Sequence, residues 1–242
     1  MQLPTAKLDE VALFFDFDGT LVEIAPTPEA VVVLPDTQKL LSALHSRTGG
    51  ATAIVTGRSL SSLDKLLQIA AFPASGSHGA QYRTPDSGVI SVPPEHRPPK
   101  EFVDHCRQFA QQHQLIFEDK TYSITLHFRQ QPDIETRLDQ WLESLVNGHP
   151  QFVIQTGKCV REIKSRDIHK GRALDFFMGQ QNFQHRVPWY FGDDVTDEAG
   201  FTWVNQNGGV SVKIGSGDTD AHHRLPDCTA LHRFLDSWLN RS

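Results

Sequence analysis

Apolar positions follow two different periods along this chain, and the change of period divides it. Residues 11–17, VALFFDF, form a near-continuous apolar run closed by Asp18-Gly19, the pattern of a parallel strand buried on both faces and ending in a tight loop. ATAIVTG at 51–57 repeats that pattern. Between them Leu40, Leu41 and Leu44 share a face, which predicts a helix from Asp36 to about Arg47; a second helix is predicted from Ser59 to about Ile69. The alternation returns near the C-terminus as a helix from about Lys170 to Met178, the strand VPWYFGD, a helix near Thr196 to Val204, and GVSVKIG. Such alternation predicts an α/β parallel sheet covered by helices. Its ligand crevice should lie at the carboxyl ends of the strands, where Asp16, Thr56 and Asp193 all fall.

The middle of the chain has another rhythm. After the Pro-rich stretch VPPEHRPPK (92–100), an amphipathic helix is predicted from Phe102 to about His113. Two strand candidates follow, of which YSITLHF alternates apolar and polar residues. A second helix places Ile134, Leu138, Trp141, Leu142 and Leu145 on one face and ends at Asn147-Gly148, after which FVIQTG and CVREIK read as a hairpin. This αββαββ pattern predicts an inserted α+β domain at 84–164, between the halves 1–83 and 165–242 of a Rossmann-like core.

Composition mainly excludes. With 242 residues, 38% hydrophobic and 21% charged, the chain can bury a full core. A net charge of -6 disfavours nucleic acid and anionic membrane as partners. Cys106, Cys159 and Cys228 are scattered and odd in number, which points to neither a disulfide framework nor a zinc site. The N-terminus lacks the features of a signal peptide, and no apolar run approaches membrane-spanning length, so a cytoplasmic location is expected. A monomer is the default expectation, which no residue pattern decides.

Chemistry enters through four short motifs. DFDGTL at 16–21 sets the carboxylates of Asp16 and Asp18 where a strand enters a turn; Asp and Gly also favour such turns for conformational reasons alone. TGRS would bring Thr56 within reach of a phosphate oxygen, with Gly57 admitting the backbone and Arg58 adding positive charge. HKG at 169–171 puts Lys170 at a helix start, and GDDVTDE at 192–198 carries four acidic residues in seven positions. Carboxylates crowded at one sheet edge repel one another unless a cation joins them, and hard oxygen ligands suit Mg2+.

DFDGTL, TGR, HKG and GDD, in that order, resemble the motifs of the haloacid dehalogenase superfamily over nearly all of the core. The resemblance implies Asp16 as the nucleophile that becomes an aspartyl-phosphate, and Asp18 as general acid and then base. It implies Thr56 and Lys170 as phosphate ligands, beside Gly57 and Arg58. Asp16, Asp193 and the backbone carbonyl of Asp18 are the implied Mg2+ ligands; Asp194 and Asp197 would orient Lys170 and the metal's waters, or cap a helix. An insertion between TGR and HKG matches a superfamily position for a cap domain that selects the leaving group. Together with GSHGAQ, LHFR (126–129) and GKCVREIK (157–164), the motifs resemble those of the trehalose-6-phosphate phosphatase family.

That second resemblance implies a hydrolase that releases trehalose and inorganic phosphate, the last step of trehalose biosynthesis. Glu118, Lys120 and Glu162 match the family's sugar-binding residues, and His78 is a further substrate-binding candidate or a packed turn histidine. Other readings stay open: a phosphatase for sucrose, glucosylglycerol or hexose phosphate, a phosphohexomutase, or a phosphosugar sensor without catalysis. The presence of Asp16, Asp18, Lys170 and Asp193 weighs against the sensor.

Overall fold

The computed structural model describes residues 3–69, 72–84 and 87–241. It divides into two compact units, Met1–Ser91 with His169–Ser242, and Val92–Ile168.

The first unit begins with β1 (Val11–Phe15), all five residues of which are buried. Then come α1 (Pro35–Arg47), β2 (Thr52–Val55), α2 (Leu60–Leu67), β3 (Ala74–Gly76), β4 (Gln81–Arg83) and β5 (Ile90–Ser91). In the second unit the chain forms α3 (Lys100–His113), β6 (Ile116–Asp119), β7 (Ser123–His127), α4 (Glu135–Val146), β8 (Phe152–Gly157) and β9 (Val160–Ser165). It completes the first unit with α5 (Lys170–Met178), β10 (Val187–Gly192), α6 (Glu198–Gln206), β11 (Val210–Ile214), β12 (His223–Leu225) and α7 (Cys228–Arg241).

The large sheet has the order β12-β11-β10-β1-β2-β3-β4-β5. It is parallel from β12 to β3 and antiparallel at its β4 and β5 edge. β1 is central because both of its faces are apolar. Leu13, Phe15 and Phe17 join a core with Leu41 and Leu44 of α1, Leu60 and Leu63 of α2, and Leu231 and Leu235 of α7. Phe14, pointing the other way, stacks on Phe183 at 5.5 Å and meets Phe177 of α5 at 6.0 Å. A strand that satisfies two apolar layers at once has nowhere to go but the middle of the sheet.

The second unit is a four-stranded antiparallel sheet of order β6-β7-β9-β8. One face carries Ile124, Leu126 and Ile163 against Phe102, Cys106 and Phe109 of α3 and Leu138 and Leu142 of α4. Arg161 is buried on that same face, where its Nε lies 2.6 Å from Asp139 and its Nη2 2.6 Å from Glu135. Its guanidinium also covers the Phe128 ring at 5.0 Å.

Several details differ from the sequence reading. The first unit extends to Ser91, past the expected boundary at 83, because β5 pairs antiparallel with β4 at the edge of its sheet. The second unit extends to Ile168 rather than 164. α6 starts at Glu198 instead of Thr196, since Val195–Asp197 form a tighter turn first. β12 and α7 follow β11, the last element that the sequence pattern predicts.

Candidate active site

Strand register assembles the site. Phe15 is level with Ile54 on β2 and with Phe191 on β10, so the residues that follow these strands emerge side by side at one sheet edge. Asp16 follows β1, Thr56 follows β2 and Asp193 follows β10. The Asp16 backbone N–H donates to the Phe191 carbonyl at 2.8 Å, which fixes the nucleophile candidate to β10. Past Asp16 the chain turns so tightly that Gly19 adopts φ +79°, where a Cβ would stand 2.1 Å from Asp193 Oδ2. Only glycine satisfies both constraints. Thr20 then donates its hydroxyl to Asp193 Oδ1 at 3.3 Å.

Lys170 is the first residue of α5 and is 2% exposed. Its ammonium lies 2.8 Å from Asp16 Oδ1 and 2.6 Å from Asp197 Oδ1. Asp197 is fully buried, and its carboxylate is fully used. Oδ1 accepts from Lys170 and from the Tyr190 hydroxyl, while Oδ2 accepts the backbone N–H groups of Asp193 and Asp194, each at 3.0 Å. Asp194 caps the turn that leads into α6, accepting from the Val195 N–H at 2.7 Å. Of the two roles expected for this acidic pair, Asp197 therefore contacts Lys170 and Asp194 contacts the helix start. Gly192 makes room for this arrangement, because a Cβ there would be 2.4 Å from Asp197 Cγ.

Carboxylate oxygens of Asp16, Asp193 and Asp197 all lie within 4.8 Å of one another. Burial pushes the Asp16 carboxyl well above its usual range; Lys170 opposes that rise, and the charges of Asp197 and Asp193 add to it. Asp193 is pushed up to about 6, first by burial and then by Asp197. Burial would lower the Lys170 ammonium, but Asp16 and Asp197 outweigh it and the ammonium is raised. These directions describe two carboxylates that cannot both ionise cheaply without more positive charge. Asp197 already takes four donors, so the hard oxygen donors suited to a divalent cation are those of Asp16 and Asp193. The donor set fits a metal.

Arg58 pairs with the second acid of the first motif, Asp18. Its guanidinium forks onto Asp18, with Nε 2.6 Å from Oδ2 and Nη2 2.7 Å from Oδ1. Thr56, 1% exposed, accepts the Arg58 backbone N–H on its hydroxyl oxygen at 3.1 Å, which leaves its O–H able to donate elsewhere. The His78 ring lies directly against Gly57, whose Cβ would meet it at 2.5 Å. His78 itself sits at φ +57°, a left-handed conformation that costs energy for a side-chain-bearing residue. Its backbone N–H is anchored to the Thr56 carbonyl at 3.0 Å.

The remaining candidates are on the sheet of the second unit. Glu118 on β6 has Lys120 Nζ at 3.5 Å and His127 Nε2 at 3.3 Å. Partial burial works against ionisation of Glu118, yet these two neighbours hold its carboxyl below the usual range. Glu162 on β9 is 9% exposed.

Three residues at the sheet edge escaped the sequence reading: Thr20, Tyr190 and Lys213. Lys213, 4% exposed, donates to the Asp193 backbone carbonyl. Both Tyr190 and Lys213 carried a signal, since a hydroxyl or an ammonium inside a strand buried on both faces requires a partner.

Comparison with known proteins bears on what this arrangement does. The family model described as trehalose-phosphatase matches residues 14–228. A probable trehalose-phosphate phosphatase of Sinorhizobium fredii is 41% identical over 237 residues, covering 96% of this chain and 88% of that protein. Trehalose-6-phosphate phosphatase of Escherichia coli is 41% identical over 229 residues, covering 93% of this chain and 85% of that one. Among solved structures, the C-terminal domain of the C. albicans trehalose-6-phosphate phosphatase superposes with a TM-score of 0.79, covering 96% of this chain and 92% of that one. At 20% identity that likeness speaks for the fold, an α/β core of the haloacid dehalogenase type.

Proposed function

The chain belongs to the trehalose-phosphatase family, and from that premise we propose that it hydrolyses trehalose 6-phosphate to trehalose and inorganic phosphate through an aspartyl-phosphate on Asp16. It is a phosphate monoester hydrolase. The observation that carries the mechanism is the convergence of Asp16, Asp193 and Lys170 at the ends of adjacent elements. Mg2+ is the proposed ion, held by the carboxylates of Asp16 and Asp193 and the backbone carbonyl of Asp18. When bound, it supplies the positive charge that lets an anionic carboxylate approach an anionic phosphate.

The protein's own groups carry the two half-reactions. An Asp16 oxygen bonds to phosphorus as the ester P–O bond breaks, and Asp18 gives its proton to the leaving sugar oxygen. Asp18 then takes a proton from water, whose oxygen attacks the same phosphorus and releases phosphate and the free Asp16 carboxylate. For Asp18 to carry that proton its fork with Arg58 has to open, and an arriving phosphate is the natural competitor for Arg58. Lys170 and the Thr56 hydroxyl hold further phosphate oxygens. Lys170 stays charged and fixed because Asp197 is its second counter-ion. His78 is proposed as a substrate contact beside Gly57, and Glu118, Lys120 and Glu162 as ligands of the sugar hydroxyls.

The test is phosphate release from trehalose 6-phosphate beside a panel of other disaccharide and hexose phosphates, with and without chelator. The expected result is a preference for trehalose 6-phosphate, dependence on Mg2+, and no activity in Asp16→Asn. Turnover persisting in that variant would overturn the mechanism; preference for another sugar phosphate would overturn the substrate.

A further inference from the structure

The antiparallel register of the second unit draws a straight line through its sheet. Glu118 on β6 is the Cα partner of Thr125 on β7, Thr125 is the partner of Glu162 on β9, and Glu162 is the partner of Gln155 on β8. These four residues form one row across all four strands. The neighbouring row in each strand, with Phe117, Ile124, Leu126, Ile154 and Ile163, belongs to the apolar core under α3 and α4. Side chains alternate, so the Glu118 row lies on the opposite face of the sheet.

Two oxygens in that row are anomalous. Thr125 is 2% exposed and Glu162 9% exposed, yet Thr125 Oγ1 and Glu162 Oε1 are shielded from water and have no hydrogen-bond partner among the described residues. Directly opposed in the register, they do not bond to each other either. A threonine at that site gains nothing for the fold over valine, which has the same shape without an unsatisfied hydroxyl. Unmet polar groups of this kind persist where a ligand supplies the missing partner. A hollow of about 330 Å3 reaches the row at its Glu118 end, where His127 and Arg129 also line it. That volume lies within the roughly 300–1,000 Å3 of small-molecule sites.

We propose that Thr125 is a specificity-determining ligand for the sugar, its hydroxyl reading one ring hydroxyl between the two carboxylates of Glu118 and Glu162. The inference rests on the sugar-phosphatase reading above. Two carboxylates can only accept, and every sugar hydroxyl must also accept if it is buried. Thr125, which can donate and accept, completes the set between them.

The experiment compares Thr125→Val and Thr125→Ser with wild type on trehalose 6-phosphate and on a small aryl phosphate, with a melting curve for each protein. Thr125→Val should lower kcat/KM for trehalose 6-phosphate about five- to tenfold, leave the aryl phosphate within about twofold, and melt at or above the wild-type temperature. Thr125→Ser, which keeps the hydroxyl, should restore most of the lost activity. Unchanged hydrolysis of trehalose 6-phosphate by Thr125→Val, or equal losses on both substrates with a lower melting temperature, would overturn the proposal. Should wild type prefer a different sugar phosphate, the substrate reading falls, and the Val and Ser comparison on that substrate still decides the role of Thr125. Should wild type hydrolyse no sugar phosphate, both fall.

Discussion

Replacing Asp197 by asparagine tests whether this carboxylate holds the site together. Its Oδ2 accepts two backbone N–H groups, a task that an amide oxygen can inherit. The amide nitrogen would then face Lys170 Nζ and the Tyr190 hydroxyl, both of them donors to the native carboxylate. Two hydrogen bonds to a charged group, at about 1.5–3 kcal/mol each, set the gross loss. Removing a negative charge beside Asp16 and Asp193 returns part of it, since Asp197 raises the pKa of both. The net destabilisation should be about 3 kcal/mol, at the low end of the roughly 3–5 kcal/mol for removing one partner of a buried ion pair. At about 2–4 °C per kcal/mol for a chain of this size, the melting temperature should fall by about 6–12 °C. Differential scanning calorimetry is the suitable assay, because it separates the transitions of the two units if they unfold independently. Tyr190→Phe removes a single donor and should cost about half as much. A melting temperature for Asp197→Asn within about 2 °C of wild type would show that the contacts of Asp197 with Lys170 and Tyr190 do not stabilise the fold as argued.

Three further outcomes follow from the geometry. Asp193, with a pKa of about 6 against an ordinary 3.8, binds its proton more tightly folded than unfolded. Its contribution to metal-free stability is therefore complete below about pH 4 and lost as pH rises through about 6; Mg2+ should stabilise strongly at pH ~7.5 and weakly at pH ~5, and equal thermal shifts at the two values would contradict this. Gly19→Ala drives a methyl group into the Asp193 carboxylate at 2.1 Å and forces φ +79° on a side-chain-bearing residue, so phosphatase activity should drop at least about 100-fold with the fold largely retained by circular dichroism. Arg161→Met in the second unit breaks its pairs with Asp139 and Glu135, and should destabilise that unit by about 2–3 kcal/mol in urea titration, less than a fully buried pair because both acids are partly exposed.

Most of the fold was legible where one periodic signal ran long enough. VALFF, TAIV and VPWYFG read as central strands because they are apolar on both faces, and the αββαββ order of the second unit followed from two clean amphipathic helices. β3, β4 and β5 are two or three residues long and carry no period at all, so the antiparallel edge that moves the domain boundary to Ser91 was invisible. α7 was readable from Leu231, Leu235 and Trp238 but has no motif beside it. In the site, Asp16, Lys170 and Asp193 were marked by position at strand and helix ends. The partners of Lys170 and Arg58 were not, because a side chain's choice among several nearby acids depends on distances that spacing does not encode. Tyr190 illustrates the limit: its hydroxyl is anchored by an aspartate seven residues later, across the strand-to-helix turn.

The order β10-β1-β2 also has a meaning for synthesis. As the chain leaves the ribosome, β1 is completed on one side by Thr52–Val55 and on the other only by Val187–Gly192, after the whole inserted unit has emerged. Until then the nascent chain carries Asp16 with neither the Phe191 carbonyl that receives its amide nor the lysine that faces its carboxylate. Val92–Ile168 has its own core and can collapse early, whereas the phosphate-handling edge must wait for long-range closure, a slow event for strands paired so far apart. Chains truncated between Ile168 and Val187 should thus accumulate as a folded insertion flanked by an unfinished, aggregation-prone sheet.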